Sequence, residues 1–226
     1  MKIITLGDST LQFNNYLKDP QTGWPQALTR FLKYDVIIKN FAKNGRSTKS
    51  FLDQGRLDEA LEYMEQGDLV LIQFGHNDQK DDPLRHTEPF GSYQDNLRKM
   101  VIESKARGCD VILLTSIAER VFKNGEVQNT HGLYPEAMKA LAEELGIPCL
   151  DIHARTMEVL NSVGEEKSKM FFMNYKDGTY PDVPGKEDDT HLRYDGAFMV
   201  ATCFYEEMMK HNLRKELFIN HEIQNI

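Results

Sequence analysis

Short apolar runs alternate with longer amphipathic stretches along most of this chain. Runs of this length, rich in Ile, Leu and Val, are typical of buried β-strands. Five such runs stand out, and each predicts one strand: residues 2–6, 35–39, 68–74, 110–115 and 148–152. The first run leads directly into the sequence GDST, so a buried strand is predicted to stop abruptly at a small polar loop.

The stretches between these runs have a helical pattern. Apolar residues recur at intervals of three and four, which is the spacing of one face of an amphipathic α-helix. This pattern predicts helices over residues 24–32, 55–64, 93–106, 135–145 and 192–211. In the fourth of these, proline stands in the first turn and glycine follows the end, as is typical of helix boundaries.

Strands that alternate with helices predict an α/β fold with a parallel sheet. Right-handed crossovers then place helices on both faces of the sheet. In such folds, functional residues lie in loops beyond the carboxyl ends of the strands. The loops after the first three predicted strands contain GDST, NFAKNGRS and FGHNDQ, and all three are small and polar. We therefore expect these loops to converge on one site.

Composition narrows the class of protein. With 226 residues and no linker rich in Gly, Ser or Pro, the chain is predicted to form one domain over residues 1–226. A hydrophobic content of 40% is sufficient for a sizeable core. The 27 basic and 35 acidic residues give a net charge of −8, which argues against nucleic acid or an anionic membrane as a partner.

Cysteine usage and the lengths of the apolar runs bear on the compartment. The three cysteines, Cys109, Cys149 and Cys203, are far apart and lie in or beside apolar runs, so we expect buried thiols rather than disulfides. No run approaches the ~20 apolar residues that span a bilayer. Only Met1 precedes the first predicted strand, so no secretory signal is expected unless a leader has been replaced by this Met. The sequence thus predicts a cytoplasmic protein.

Ser9 and His191 have the residue types that a hydrolytic serine site requires. Such a serine needs a base within hydrogen-bond reach and an acid that fixes the tautomer of the base. His191 lies in EDDTHLRYDG, three residues after Asp188, so the Asp188 carboxylate can accept from Nδ1 and leave Nε2 for the Ser9 proton. Two simpler roles compete: Ser9 as the N-cap of a helix, and His191 as a residue at a helix start that merely bonds to Asp188.

A tetrahedral intermediate also needs hydrogen-bond donors for its oxyanion. The backbone N–H of Ser9 is one candidate. Gly45, in NGRS, has no side chain to obstruct a close approach to its backbone N–H. Asn77, in FGHNDQ, can supply a side-chain amide from the end of the third strand. Because Gly and Asn are also typical of turns with positive φ, turn formation is the alternative role for both.

Four sequence blocks together resemble those of the SGNH (GDSL-like) hydrolases. GDST at Ser9, NGRS at Gly45, GHND at Asn77 and DDTH at Asp188 and His191 occur in the order of that family and span almost the whole chain. The sequences FAKNGRSTKSF, LIQFGHNDQ and TEPFGSYQDNL further resemble the rhamnogalacturonan acetylesterase branch.

That resemblance implies a fold, a reaction and roles for single residues. The fold is a flavodoxin-like three-layer α/β/α sandwich with a five-stranded parallel sheet in the order 2-1-3-4-5. The reaction is hydrolysis of acetyl esters on pectic sugars, without a metal or another cofactor. Ser9 is then the nucleophile and His191 the base, oriented by Asp188. The oxyanion hole consists of the Ser9 and Gly45 backbone N–H groups and the Asn77 side chain.

Several other polar side chains have open roles. Asp189 is a rival to Asp188 as the partner of His191. His76 and Asp78 are predicted to brace their loop rather than to touch substrate. A solvated surface is expected for the remaining histidines: His86, His131, His153, His211 and His221.

An acetylated oligosaccharide is the expected partner. Arg46, Arg85, Arg120 and His131 lie in loops that can line a sugar groove, and a solvated surface is their alternative role. A pectic backbone is anionic, so a protein of net charge −8 needs local positive potential to bind it. The sequence does not indicate an oligomeric state.

Three alternatives to the pectic acetylesterase stay open at this point. Another SGNH activity, on acetylated xylan, sialate esters, thioesters or lysophospholipids, would use the same blocks. A carbohydrate-binding protein without catalysis could share the fold, but it has no need for the combined blocks. A nucleotide binder is disfavoured because neither a P-loop nor GxGxxG follows the first strand.

Overall fold

The computed structural model describes residues 1–15 and 19–219. Its centre is a parallel sheet of five strands: β1 Lys2–Gly7, β2 Ile37–Asn40, β3 Leu69–Gln73, β4 Asp110–Leu114 and β7 Cys149–Leu150. The sheet order is β2-β1-β3-β4-β7, which is the flavodoxin-like order 2-1-3-4-5 when only the strands of this sheet are counted. All five predicted strands are therefore confirmed, together with their order.

A short antiparallel hairpin lies outside this sheet. Its strands are β5 Phe122–Lys123 and β6 Glu126–Val127. Each strand is two residues long, which is too short for the alternation of apolar and polar residues that would predict a strand.

Among the described residues, eight α-helices flank the sheet. They are α1 Trp24–Leu28, α2 Thr48–Asp53, α3 Arg56–Leu61, α4 Gln94–Ala106, α5 Tyr134–Leu145, α6 Ile152–Val163, α7 Glu165–Ser168 and α8 Tyr194–Lys210. Helices α1, α3, α4, α5 and α8 correspond to the predicted helices, and α2, α6 and α7 are additional.

Helix α6 shows why the apolar pattern missed an element of this length. Its buried face consists of Ile152, His153, Thr156 and Leu160, so half of that face is polar. The side chain of Asp151 caps the helix and accepts from the backbone N–H of Ala154 at 3.1 Å. The helix thus begins directly after β7, without the loop that would separate two elements in the sequence.

The sheet has a hydrophobic core on each face. Successive residues of a strand point to opposite faces, and Ile3 and Ile4 of β1 accordingly lie in different cores. Helices α1, α6 and α8 contribute to the first core, and α2, α3, α4 and α5 contribute to the second. The three-layer α/β/α architecture expected from the family resemblance is confirmed.

The chain between α7 and α8 doubles back on itself. Tyr175 and Lys186 exchange two backbone hydrogen bonds of 2.9 Å, and Phe172 and Leu192 form an antiparallel bridge. The backbone N–H of Met173 donates to the carbonyl of His191 at 2.9 Å. This segment, residues 169–187 and called the excursion below, therefore ends beside its own beginning.

The three cysteines are free thiols. Cys109 and Cys203 are buried, as expected, and Cys149 is partly exposed. Burial raises the pKa of Cys149 to about 12 and that of Cys203 to about 11, so neither thiol is activated as a nucleophile. In the described part of the chain, no helix combines the length and the apolar character that crossing a membrane requires.

Candidate active site

Ser9 lies in a tight turn directly after β1. The Asp8 carbonyl accepts from the backbone N–H groups of Leu11 and Gln12, and the Asp8 Oδ1 atom accepts from the Thr10 N–H at 2.9 Å and from the Thr10 hydroxyl at 2.8 Å. These bonds close a turn, and the first described helix begins only at Trp24. The alternative role of Ser9 as a helix N-cap is therefore wrong.

The segment of residues 188–191, called the base loop below, brings a histidine and a carboxylate to Ser9. His191 Nε2 lies 3.0 Å from Ser9 Oγ, and His191 Nδ1 lies 2.8 Å from Asp188 Oδ2. A carboxylate oxygen can only accept, so Nδ1 carries the proton and Nε2 presents its lone pair to the Ser9 hydroxyl. The three side chains form one continuous chain of hydrogen bonds.

Asp188 is fixed by donors on both of its oxygens. Its Oδ1 accepts from the backbone N–H groups of Thr190 and His191 at 3.0 and 2.9 Å. Its Oδ2 lies 2.8 Å from Lys186 Nζ as well as facing the imidazole. Burial alone would raise the pKa of Asp188, but the hydrogen bonds from His191 and Lys186 outweigh burial and hold that pKa well below its usual range. The carboxylate beside His191 therefore stays charged.

Asp189, the rival carboxylate, is directed to other partners. Arg120 Nη1 donates to its Oδ1 at 2.7 Å, and Asn174 Nδ2 donates to the same atom at 2.6 Å. Arg120 is itself buried, with 7% of its surface exposed, and bonds also to the carbonyl of Glu165 and to Ser168. Asp188 is thus the carboxylate that faces His191. Arg120 nevertheless borders a surface cavity beside Lys186 and Asp189, so its place in a sugar groove stays a prediction.

Two backbone donors near Ser9 have no acceptor. Within residues 1–15 and 19–219, the N–H groups of Ser9 and Gly45 donate to no protein atom. Gly45 has φ +75°, a left-handed conformation that L residues rarely adopt, and a Cβ placed there would meet nothing within 4 Å. The glycine is therefore required by the backbone conformation and not by crowding.

Asn77 follows β3 and supplies a side-chain amide. Its Nδ2 donates one hydrogen to the Arg46 carbonyl at 3.0 Å, and a primary amide has a second hydrogen available. Its Oδ1 lies 3.5 Å from Arg85 Nη1. Asn77 is 5% exposed, so this amide is oriented by its neighbours rather than by solvent.

Asp78, directly after Asn77, braces its loop as predicted. Asp78 is 0% exposed and its Oδ1 accepts from the Thr48 N–H at 3.0 Å, the Thr48 hydroxyl at 2.6 Å and the Thr87 hydroxyl at 3.0 Å. Burial raises the pKa of Asp78 to about 7, although these donors act in the opposite direction. The loop after β3 is thereby tied to the start of α2.

The basic residues predicted to line a sugar groove differ in their exposure to solvent. Arg46 and Arg85 are partly exposed; Arg46 Nε donates to Gln54 at 2.9 Å and Arg85 Nε donates to Asp82 at 2.6 Å. His131 is 0% exposed, and its Nε2 lies 3.0 Å from His76 Nδ1. A fully buried ring cannot line a groove or lie at a solvated surface, so both expectations for His131 are wrong.

His153 is also buried, at 5% exposure, which corrects its expected place at the surface. His86 and His211 are exposed, as expected, and His221 lies outside the described residues. Across residues 1–15 and 19–219, no group of three or more His, Cys, Asp or Glu side chains has the arrangement of a metal site.

Glu119 and Lys186 are among the residues that contact this site and were not identified from the sequence. Glu119 accepts from Thr190 at 3.0 Å, and Lys186 pairs with Asp188. Glu119 follows the carboxyl end of the fourth predicted strand, just as Ser9 and Asn77 follow the first and third. Its position in the sequence could therefore have predicted a place near the site. Lys186 gave no such indication, because its contact depends on how the excursion doubles back.

Residues 5–196 match the GDSL-like Lipase/Acylhydrolase family. The chain is 38% identical over 208 residues to the rhamnogalacturonan acetylesterase RhgT of Bacillus subtilis, an alignment that covers 91% of this chain and 88% of that protein. It is 33% identical over 200 residues to the probable rhamnogalacturonan acetylesterase YesY of the same organism, with 88% of each chain covered.

Solved structures show the same fold. The crystal structure of YxiM from Bacillus subtilis has a TM-score of 0.80 at 27% identity, over 94% of this chain and 57% of that one. Axe2, an acetylxylan esterase from Geobacillus stearothermophilus, has a TM-score of 0.62 at 20% identity, over 92% and 93% of the two chains. Sequence match and fold agree with the four blocks first noted in the sequence, and the chain belongs to the GDSL-like lipase/acylhydrolase family.

Proposed function

We propose that this chain is a serine esterase that removes acetyl groups from acetylated pectic oligosaccharides of the rhamnogalacturonan type. Ser9 is the nucleophile, His191 the general base and Asp188 the residue that orients it. The observation that carries this proposal is the continuous chain of hydrogen bonds from Asp188 through His191 to the Ser9 hydroxyl, at 2.8 and 3.0 Å.

In the acylation step, Ser9 Oγ attacks the acetyl carbonyl carbon while its proton moves to His191 Nε2. The carbonyl oxygen becomes an oxyanion, which accepts from the N–H groups of Ser9 and Gly45 and from the second amide hydrogen of Asn77. Each such donor contributes about 2.7–4 kcal/mol to the stability of the transition state in comparable enzymes. The charged Asp188 stabilises the imidazolium that forms. The bond to the sugar oxygen then breaks, and that oxygen takes the proton from His191.

In the deacylation step, water takes the place of the sugar alcohol. His191 Nε2 accepts a proton from the water as its oxygen attacks the acetyl carbon of the acyl-enzyme. The same three donors stabilise the second oxyanion. The bond between the acetyl carbon and Ser9 Oγ breaks, Ser9 regains the proton from His191, and acetate leaves.

The pectic substrate is supported by RhgT and YesY, which are 38% and 33% identical to this chain over the aligned residues. Arg46 and Arg85 are also partly exposed and border the loop of Asn77. Arg85 Nη1 lies 3.5 Å from Asn77 Oδ1, whereas Arg46 contacts Asn77 through its backbone carbonyl and its guanidinium bonds to Gln54 and the Asn44 carbonyl. We propose that they bind galacturonate carboxylates. The KM for uronate-containing oligosaccharides is then expected to rise with salt concentration, and a salt-independent KM would contradict this role.

Acetate release tests the proposal directly. The substrates are acetylated rhamnogalacturonan oligosaccharides and, in parallel, acetylated xylan, with a Ser9→Ala variant of confirmed fold as the control. Release from the pectic substrate alone, abolished in Ser9→Ala, is the expected result. Release mainly from xylan would retain the chemistry but replace the substrate. Absence of any Ser9-dependent release from esters would favour a carbohydrate-binding protein.

The cytoplasmic location stays a prediction, which fractionation of the source cells would test.

A further inference from the structure

Two consecutive residues after β4 hold the two middle residues of the base loop. The Thr190 hydroxyl donates to Glu119 Oε1 at 3.0 Å. Arg120 Nη1 donates to Asp189 Oδ1 at 2.7 Å, and the Arg120 backbone N–H donates to the Asp189 carbonyl at 2.8 Å. Each residue between the acid and the base of the proposed triad thus has its own partner on the segment after β4.

Glu119 also faces the loop that carries Asn77. The same Oε1 atom lies 3.6 Å from Nδ1 of His76, the residue directly before Asn77. Burial lowers the pKa of His76, but the neighbouring Glu119 and the charge of Asp8 outweigh burial, so that this pKa is raised. The contact with His76 in turn holds the pKa of Glu119 below its usual range, against the effect of burial. Glu119 Oε1 therefore faces both Thr190 of the base loop and His76 of the loop that carries Asn77.

His131 lies beside His76 as a neutral ring. Its Nε2 lies 3.0 Å from His76 Nδ1, and its Nδ1 lies 3.3 Å from the Thr130 hydroxyl. Burial, together with the charges of His76 and His153, lowers the pKa of His131 to about 2. A neutral imidazole that donates from Nδ1 accepts at Nε2, so His131 helps to fix the orientation of the His76 ring.

We propose that Glu119 is a positioning residue that ties the base loop, through Thr190, to the loop of the oxyanion donor Asn77, through His76. The inference rests on the proposed function, because it assigns Glu119 a part in the alignment of base and oxyanion hole. Among the described residues, no hydrogen bond or ion pair joins Glu119 to Ser9 or His191. Glu119 therefore takes no part in proton transfer.

Different contacts fix the conformation of the base loop and its position relative to the sheet. Its shape is fixed from within, because Asp188 Oδ1 accepts from the backbone N–H groups of Thr190 and His191. Its place is set by Glu119 and Arg120 on the segment after β4, together with Asn174 and Met173 of the excursion. The Thr22 N–H also donates to the carbonyl of the next residue, Leu192, at 2.9 Å. Loss of the Glu119 contact should therefore leave the loop folded but displaced. A displacement of about 1 Å in a catalytic site can lower the rate by about 10²-fold.

A matched pair of variants at Thr190 tests this. Thr190→Val keeps the shape of the side chain and removes the hydroxyl, whereas Thr190→Ser keeps the hydroxyl. We expect Thr190→Val to lower kcat by about 10- to 100-fold with KM changed less than about twofold, and Thr190→Ser to stay within about threefold of the unaltered chain. Glu119→Gln, which removes the charge facing His76, should lower kcat in the same way.

A double-mutant cycle tests the link between the two loops. Thr190→Val and Asn77→Ala each lower kcat/KM by some factor. If Glu119 couples the two loops, the product of these two factors is larger than the factor by which kcat/KM falls in the double variant. In a Glu119→Gln background the same two changes should act independently. Independence in the unaltered background would overturn the coupling.

A second readout makes the inference separable from the proposed function. The rate at which a fluorophosphonate labels Ser9 reports the alignment of Ser9 and His191 without any sugar substrate. Labelling without release from acetylated sugars would overturn the proposed substrate while leaving Glu119 testable. If kcat and labelling of Thr190→Val stay within about twofold, or if the loss equals the unfolded fraction measured by circular dichroism, Glu119 is only a structural residue and the inference is overturned.

Discussion

The two halves of the candidate site are built in different ways. Ser9, Gly45 and Asn77 lie within five residues of the ends of β1, β2 and β3, so the sheet itself places them together. Asp188 and His191 follow no strand of the sheet and lie at the end of the 169–187 excursion. Their positions depend on side chains from distant segments. We call Ser9, Gly45 and Asn77, with the loops that carry them, the strand half of the site, and Asp188 and His191, with the base loop, the loop half. The order of the strands places the strand half, whereas individual hydrogen bonds and ion pairs place the loop half.

The largest expected effect lies in the loop half, at two adjacent carboxylates. Asp188→Asn removes the acceptor for His191 Nδ1 and allows the wrong tautomer, so we expect kcat to fall by about 10⁴-fold, as in serine proteases. Asp189→Asn changes a residue bonded to Arg120 and Asn174 and should cost far less. Steady-state kinetics on an acetyl ester, with folding checked by circular dichroism, measures both. A larger loss in Asp189→Asn would reverse the assignment.

The same contrast explains how much was predictable from the sequence. The parallel sheet and the convergence of GDST, NGRS and GHND follow from apolar runs that end in polar loops, whereas the order of the strands was implied only by the family resemblance. The structure confirms both the sheet and its order. The family resemblance was needed to choose Asp188 over Asp189, because both occupy one acidic loop. The buried position of His131 was not predictable: its ring packs on His76 and His153, from segments far away in sequence. Helix α6 was missed because half of its buried face is polar.

The next effect is expected in the strand half, at Asn77. Asn77→Ala removes the side-chain donor of the proposed oxyanion hole, so kcat should fall by about 10²- to 10³-fold. Asn96→Ala is a matched control, since Asn96 also makes a side-chain amide bond, to Thr48 at 3.1 Å, but lies outside the site. Single-turnover kinetics on an acetyl ester separates the chemical step from binding. Equal losses in both variants would indicate a general effect of amide removal and would contradict the oxyanion role.

A smaller effect, on the free energy of unfolding, is expected from a substitution that crowds the backbone of the strand half. Gly75 lies two residues after the end of β3 with φ +151°, and a Cβ placed there would lie 2.3 Å from Ser116 Oγ. Gly75→Ala is therefore expected to lower the free energy of unfolding by about 1–3 kcal/mol in urea titrations. Gly125→Ala is the control, because Gly125 also has positive φ but a Cβ there meets nothing within 4 Å.

Ser116→Ala provides the rescue in this experiment. It removes the oxygen that the new methyl group would meet, so Gly75→Ala should cost less in the Ser116→Ala background than in the unaltered chain. If Gly75→Ala costs no more than Gly125→Ala, the packing of the strand half does not require glycine at this position.

The carboxylates of the two halves should also differ in the pH dependence that they give to stability. Asp78, in the strand half, has its pKa raised by burial to about 7, whereas the pKa of Asp188, in the loop half, is lowered by its donors. Between about pH 4 and 7, Asp78 binds a proton in the folded state and not in the unfolded state. Its contribution to stability therefore falls as pH rises, by at most about 1.4 kcal/mol per pH unit.

Asp78→Asn removes this titration, and the sign of the result is fixed in advance. The free energy of unfolding of Asp78→Asn minus that of the unaltered chain should increase from pH 4 to pH 7 and level off above, in urea titrations at half-unit intervals. For Asp188 the sign is opposite, because a lowered pKa adds stability that is present above about pH 4 and is lost as pH falls below it. Parallel curves for Asp78→Asn and the unaltered chain would mean that Thr48 and Thr87 stabilise the charged carboxylate as fully as water does, and the strand half would then differ from the loop half in geometry alone.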